Sequence, residues 1–299
     1  MTYHKPVLLD ESIEGLNVRP DGVYVDATFG GGGHSRAILD RLATGRLIAL
    51  DQDADALINA PKDTRLTVQH GNFRFLRNFL AHHGYRQIDG IFADLGVSSH
   101  HLDNIERGFS FRYHDVPLDM RMNEAAQLTA ATVVNQYSEE SLWRVFAEYG
   151  EISDAKRLAQ CIVAARKHTS IDNSGTLMES IKSCIPRNAE NKYLAKIFQA
   201  LRIEVNSELD CLKSLLIQSA ELLRENGRVV VIAYHSLEDR LVKKFFKNGM
   251  FEGHAPKDIY GNVKAPLRQV NNKVIVPSKG EIEENNRARS AKLRIGEKN

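Results

Sequence analysis

Asp26, Asp51 and Asp94 each stand where a short apolar run ends, and four glycines, Gly30 to Gly33, follow the first of them. The leading segment is Val23–Ser35, VYVDATFGGGGHS. A strand that ends in a carboxylate and a Gly-rich turn is how an open α/β sheet makes a pocket for a nucleotide cofactor. Glycine reaches positive φ cheaply and lets the backbone touch a ligand. Asp51 lies 19 residues after Gly32, close to the spacing at which an acidic side chain holds a ribose. His70-Gly71-Asn72-Phe73 ends a third run, and Asp94-Leu95-Gly96-Val97-Ser98-Ser99 ends a fourth.

Two cofactor classes compete for these residues. A nicotinamide dinucleotide would want GxGxxG, whereas Gly30, Gly32 and Ser35 give GxGxxS. A pyrophosphate also prefers a helix N-terminus without a nearby carboxylate, and Asp26 is in the way. S-adenosylmethionine carries an ammonium and a sulfonium and no phosphate. Asp26 then faces the methionine end, Asp51 the ribose hydroxyls and Phe73 the adenine. Asp94 sits by the adenine or the transferable methyl. These features favour methyl transfer over hydride transfer. A third reading, an RNA-binding or assembly factor with a vestigial pocket, is opposed by the intact acidic set.

The elements that must position these groups alternate. Strands are expected at Val23–Asp26, Arg46–Asp51, Arg65–His70 and Ile88–Leu95, with helices at Ser35–Ala43, Ala54–Ala60 and Phe73–His83. Such alternation implies βαβ units and a parallel sheet. From about Glu124 to Glu204 nearly everything reads helical, as in the spacing Leu142-Val145-Phe146-Tyr149. The α/β rhythm returns with a helix at Glu208–Glu225, a C-cap at Asn226-Gly227, a strand at Arg228–Tyr234 and a helix at Leu237–Lys247. Lys273–Pro277 and Ala291–Ile295 suggest a closing hairpin. The expected organisation is a methyltransferase domain in two parts, 1–123 and 205–299, interrupted by a helical insertion at 124–204.

Composition sets limits. The chain has 299 residues, 42% hydrophobic and 26% charged, with net charge +2, so a uniformly basic nucleic-acid binder is excluded. Residues 261–299 nevertheless carry nine Lys/Arg (including Lys264, Arg268, Lys273, Lys279, Arg287, Arg289, Lys292, Arg294 and Lys298) against four Glu. That tail suits phosphate contacts or simply a solvated surface. The insertion, with ten acidic and ten basic residues, advertises no phosphate-binding face. Cys161, Cys184 and Cys211 form no CxxC, and the eleven histidines no HExxH, so no metal site is expected. No apolar run approaches a membrane span and no signal peptide opens the chain, so the cytoplasm is the expected compartment.

Several longer motifs add a resemblance. They are HKPVLLDE from His4, DATFGGGGHS from Asp26, DLGVSS from Asp94, RGFSF from Arg107, PLDMRM from Pro117, YGE from Tyr149, FQALRIEVNSEL from Phe198, HSLEDR from His235 and NRARSAKLR from Asn286. In them the chain closely resembles, over nearly its whole length, the bacterial ribosomal RNA small-subunit methyltransferase H family, formerly called MraW. The resemblance implies a class I S-adenosylmethionine-dependent methyltransferase fold, Rossmann-like with a mostly parallel sheet. It implies methylation of the N4 amine of one cytosine in the decoding region of 16S rRNA. Cofactor contacts carry over to Gly32, Gly33, His34, Asp51, Phe73, Asp94 and His101; the sequence pattern adds Asp26 and Gly30. Glutamine is usual where His101 stands, and ISFHS where this chain has IAYHS. The expected partner is 16S rRNA within the small ribosomal subunit. A homodimer is compatible with the sequence, which does not fix the oligomeric state; no membrane is expected.

The loop after the fourth strand lacks the (D/N/S)PP(Y/F) of many amino-group methyltransferases, so other groups must help hold the base. The catalytic candidates are Asp94, Asp119 and Arg121 of PLDMRM, and His235 and Ser236 of HSLEDR, with Glu238 beside them. Asp119 and Arg121 also read as a structural ion pair. Ser236 also reads as a helix N-cap with Asp239 at N3. Phe109 and Phe111 suit a flipped base or burial equally. Trp143 and Tyr149 read as core, and His82 and His83 as exposed residues at a helix end.

Overall fold

The computed structural model describes residues 6–253, 265–271 and 273–299. His4, Lys5 and Lys264 therefore lie outside the described residues. The described chain forms two compact units, Met1–Gly96 with Leu209–Asn299, and Val97–Glu208.

The first unit holds a seven-stranded sheet of order β3-β2-β1-β4-β5-β7-β6. Its strands are β1 (Val23–Asp26), β2 (Arg46–Asp51), β3 (Leu66–His70), β4 (Ile88–Asp94), β5 (Leu223–Ala233), β6 (Leu267–Gln269) and β7 (Lys292–Lys298). β3-β2-β1-β4-β5 is parallel throughout, and β7 pairs antiparallel with both β5 and β6. Alternate side chains enter opposite cores. Val25, Ile48, Ile91, Val229 and Val231 face one cluster; Tyr24, Leu47, Phe92, Val230 and Ile232 face the other. Burial on both faces is why these strands read as continuous apolar runs rather than alternating ones.

Helices α1 (Leu9–Leu16) and α2 (Gly33–Arg41) cover one face. α3 (Ala54–Leu57) is a single turn after β2. α4 (Leu76–His82) contributes Leu76 and Leu80 to the other face. At the strands' N-terminal edge the Asp89 carboxylate accepts from Val23 N–H at 2.7 Å and pairs with Arg19 and Arg224.

The second unit is helical among its described residues: α5 (Ser99–Asp103), α6 (Ala130–Gln136), α7 (Glu139–Glu148), α8 (Ala155–Ala165), α9 (Ser174–Ile181) and α10 (Glu190–Asn206). Leu142, Val145, Leu158, Ile162, Leu177, Ile197 and Leu201 form its core. This unit starts at Val97, so residues 97–123 belong with the helices rather than with the sheet. Trp143, expected in the core, is 42% exposed. It follows Leu142 by one residue, ~100° around the helix, and so points off the buried stripe. Tyr149 is partly buried against the core as expected.

α11 (Glu208–Leu222), α12 (Ser236–Asn248) and α13 (Lys279–Glu284) complete the chain. α11 runs directly into β5 at Leu223, so Asn226-Gly227 is not its C-cap. Asn226 instead takes φ 63° inside the span of β5, beside an irregularity in the pairing with β4. The closing hairpin exists, but its first strand is Leu267–Gln269; Lys273–Pro277 supplies only a bridge from Ile275 to Leu293. No helix of the described residues is long and apolar enough to cross a membrane.

Candidate active site

β1 ends at Asp26, and the chain turns through Gly30 (φ 52°) and Gly32 (φ 75°) into α2. These left-handed angles need glycine, and a Cβ on Gly32 would lie 2.8 Å from Phe29 Cζ. A Cβ on Gly33 would run into Pro6, so the segment before α1 packs directly on the loop. The first N–H groups of α2 have no partners within the helix and point out of its N-terminus.

Three neighbouring strand ends are tied to this loop. Gly30 N–H donates to Asp51 Oδ2 at 2.8 Å, and Asp53 N–H donates to Asp51 Oδ1 at 2.9 Å. Asp94 N–H donates to Thr28 Oγ1 at 2.7 Å. Thr28 N–H and Ser35 O–H donate to the two oxygens of Asp26 at 3.1 and 2.6 Å.

Asp26 was expected at the methionine end of the cofactor. Its residue is 0% exposed and both oxygens are spent on the loop, so it braces the turn from below. Burial pushes its carboxyl up to about 6, helped by repulsion from Asp51 and opposed by the Ser35 and Thr28 hydrogen bonds. His34 is also turned inward: its ring lies 4.2 Å from that of Phe92, and Nε2 lies 3.1 Å from Val7 O. Burial holds its imidazole down to about 4, so Nε2–H of the neutral ring donates to Val7. Only the backbone of His34 faces the turn as a helix N-terminal group. Phe73 opens a 3-10 turn, Phe73–Phe75, and packs partly buried beside the α4 side of the sheet.

Asp94 ends β4, partly exposed. Tyr234 O–H donates to its Oδ1 at 2.9 Å. Burial pushes the Asp94 carboxyl up to about 7; the Tyr234 hydrogen bond opposes this, and the charges of Asp26 and Glu238 add to it. The Tyr234 hydroxyl is itself pushed well above its ordinary value by burial and by Asp94, so it remains a donor. Apart from the tyrosine of IAYHS, nothing in the sequence signalled this contact.

The N-cap of α12 is His235, not Ser236, which is the first helical residue. His235 Nδ1 accepts from Glu238 N–H at 3.3 Å, and Glu238 Oε2 accepts from Tyr234 N–H at 2.8 Å and His235 N–H at 3.2 Å. The box thus forms one residue earlier than expected, because the histidine ring places an acceptor where a serine hydroxyl would. Asp239 pairs with the buried Arg294 of β7 at 2.7 Å instead of capping.

The remaining candidates belong to the helical unit. Asp119 and Arg121 form the ion pair, with Nε and Nη2 of Arg121 at 2.8 and 2.6 Å from the carboxylate. Nη1 donates to the carbonyls of Glu124 and Ala126. Burial pushes Asp119 up, but the Arg121 hydrogen bonds outweigh it and hold the carboxyl below its ordinary value. Arg121 is therefore fully engaged in fixing its own loop. His101 shares a capping box with Ser98, its ring 5.0 Å from Phe109. Phe109 is buried and Phe111 meets Phe198 edge-on at 5.5 Å, which favours burial over stacking on a base.

In the basic tail, Arg268 pairs with Glu297, and Lys292 and Arg294 with Asp239. All three are paired with carboxylates, Arg294 in the interior and Arg268 at an exposed position. Lys273, Lys279, Arg287 and Arg289 are exposed.

A family model described as the MraW methylase family matches residues 1–299. A "Ribosomal RNA small subunit methyltransferase H" of Bacteroides thetaiotaomicron is 56% identical over 299 residues, covering 100% of this chain and 98% of that one. One of Flavobacterium johnsoniae is likewise 56% identical with the same coverage. Among solved structures, an rRNA methylase from Streptococcus thermophilus aligns with TM-score 0.41 and 11% identity over 100% of this chain and 98% of that one. Aeropyrum pernix fibrillarin with bound S-adenosylmethionine aligns with TM-score 0.37 and 9% identity over 94% and 68%.

Proposed function

The chain belongs to the MraW methylase family, and from that premise we propose that it transfers a methyl group from S-adenosylmethionine to the N4 amine of a cytosine in the decoding region of 16S rRNA. One observation carries the cofactor assignment. At one edge of the sheet the charge of Asp51 adds to the proton affinity of Asp26, and the charges of Asp26 and Glu238 add to that of Asp94. A cation relieves that repulsion; a pyrophosphate increases it. Beside them a Cβ on Gly30 would meet nothing nearer than Thr28 O at 3.9 Å, so the turn is open at that residue. These residues fit a positively charged methyl donor and do not fit a dinucleotide.

When bound, S-adenosylmethionine supplies an electrophilic methyl on a sulfonium. Gly32, Gly33 and the α2 N-terminus offer N–H groups suited to its carboxylate. Asp51, whose carboxylate accepts from Gly30 and Asp53 at the end of β2, is the proposed partner of the ribose hydroxyls. Asp94 is the proposed acceptor for the target amine. The N4 lone pair is delocalised into the ring, so the amine is a weak nucleophile and must be held in line. As N4 attacks it gains positive charge, which a fixed carboxylate stabilises. Tyr234 fixes that carboxylate by holding Oδ1. A carboxyl near 7 is also well matched to take the N4 proton at neutral pH.

His235 and Ser236 stand at the start of α12, directly after Tyr234, and are proposed to bound the base site through their backbone and hydroxyl. Asp119 and Arg121 act by keeping the PLDMRM loop in one shape. The base must leave its stack to be reached. The helical residues 124–204 and the exposed cations of the tail are proposed to engage the RNA backbone.

The test is a map. Small subunits from cells lacking this methylation are incubated with the protein and labelled S-adenosylmethionine, then digested to nucleosides. Label in N4-methylcytidine at one site is expected. Label elsewhere, or none while the cofactor binds, would overturn the assignment.

A further inference from the structure

Cys161 and Cys184 lie far apart in the sequence and share no motif, yet their Sγ atoms are 3.3 Å apart. Cys161 stands in the last turns of α8 and is partly exposed. Cys184 closes a 3-10 turn, Lys182–Cys184, and is buried. Both belong to the helical unit, and Cys211, also buried, belongs to the other. We propose that Cys161 and Cys184 form a peroxide-reactive dithiol that closes to a disulfide within the helical unit.

The geometry sets the order of events. Cys161 has the accessible sulfur and reacts first. Arg157 precedes it by one helical turn, and its guanidinium is anchored by donating to Ser183 O at 2.8 Å. Ser183 Oγ lies 3.5 Å from Cys161 Sγ. Burial, the hydrogen bond to Cys161 and its charge push the Cys184 thiol up to about 11, so Cys184 waits as the resolving thiol. The other titratable group that interacts with both cysteines is Tyr193, whose O–H donates to Asp154 at 3.1 Å.

The steps balance. The Cys161 thiolate attacks one oxygen of hydrogen peroxide. A sulfur–oxygen bond forms, the O–O bond breaks, and hydroxide leaves to become water with the thiol's proton. The product is a sulfenic acid. The Cys184 sulfur then attacks Cys161 Sγ; the S–S bond forms, the S–O bond breaks, and the departing hydroxide takes the Cys184 proton as a second water. Two thiols are oxidised and one peroxide is reduced. The sulfurs must close from 3.3 Å to a bond length of about 2.05 Å, a displacement within the reach of side-chain torsions.

The experiment uses the full chain. Protein is treated with a small excess of peroxide, quenched with catalase, denatured, and labelled with N-ethylmaleimide. Intact mass should show three adducts before peroxide and one after, with three restored by reductant. A non-reducing peptide map should join the Cys161 and Cys184 peptides and leave Cys211 labelled. In Cys184→Ala the second step has no partner, and Cys161 should proceed to sulfinic acid. Cys211→Ala, which leaves both proposed thiols in place, should still form the Cys161–Cys184 link. Three adducts after peroxide, a link through Cys211, or sulfinic Cys161 in the wild type with Cys184 still labelled would each overturn the proposal.

Discussion

Removing one oxygen atom, in Tyr234→Phe, should make cofactor binding depend on pH in a new way. Asp94 has its carboxyl pushed up to about 7, and the Tyr234 hydroxyl is the contact that restrains it. With a value near 7, Asp94 is about nine-tenths ionised at pH 8 and about one-tenth at pH 6. A cationic ligand needs the ionised form, so wild-type affinity should fall about tenfold from pH 8 to pH 6, with Asp26 adding to the loss at the acid end. A hydrogen bond to a charged group contributes about 1.5 kcal/mol or more, roughly one pKa unit. Tyr234→Phe should therefore weaken binding about fivefold at pH 7 and hardly at all at pH 9, where Asp94 is ionised either way. Isothermal titration in two buffers of different ionisation heat reads both affinity and protons released. About half a proton should leave at pH 7 in the wild type. Asp94→Asn supplies the baseline that removes the ligand's own titration. A wild-type profile that stays flat across this range, or a Tyr234→Phe loss equal at pH 6, 7 and 9, would refute the reasoning.

Other outcomes follow from the same geometry. Because the folded-state pKa of Asp94 lies above its unfolded value, its burial costs nothing below about pH 4 and destabilises increasingly as pH rises toward 7. Asp94→Asn should therefore raise the Tm of the ligand-free protein by a few degrees at pH 8 and leave it unchanged at pH 4, as scanning calorimetry would show. Gly32→Ala forces a side chain into a left-handed angle against Phe29 and should weaken S-adenosylmethionine binding at least tenfold, read by titration. Asp119→Ala leaves Arg121 without its partner; methylation should fall with cofactor affinity unchanged, and a full methylation rate would remove the loop from the mechanism.

The sheet was legible because its central strands are buried on both faces, so β1, β2 and β4 show as unbroken apolar runs bounded by Asp or Gly. β6 was not, because three residues that pair only with β7 carry no pattern of their own. The glycine loop, Asp51 and Asp94 could be read from their places at strand ends. The inward role of Asp26 could not, because whether a carboxylate faces a ligand or its own turn depends on Thr28 and Ser35. The Tyr234–Asp94 contact joins residues 140 apart in the chain, and the two close thiols are joined only by tertiary packing. Ser236 matched a capping pattern, but the backbone turned one residue sooner and gave the position to a histidine.

β7 lies between β5 and β6, although both precede it in the chain. During synthesis β6 has no neighbour in the sheet until β7 has left the ribosome, and the flank of β5 that β7 will cover stays open. The helical unit, whose residues are contiguous, can reach its native form well before that. The pocket rests on a sheet that closes late. A nascent chain is thus poorly placed to bind cofactor before its last strand has been made.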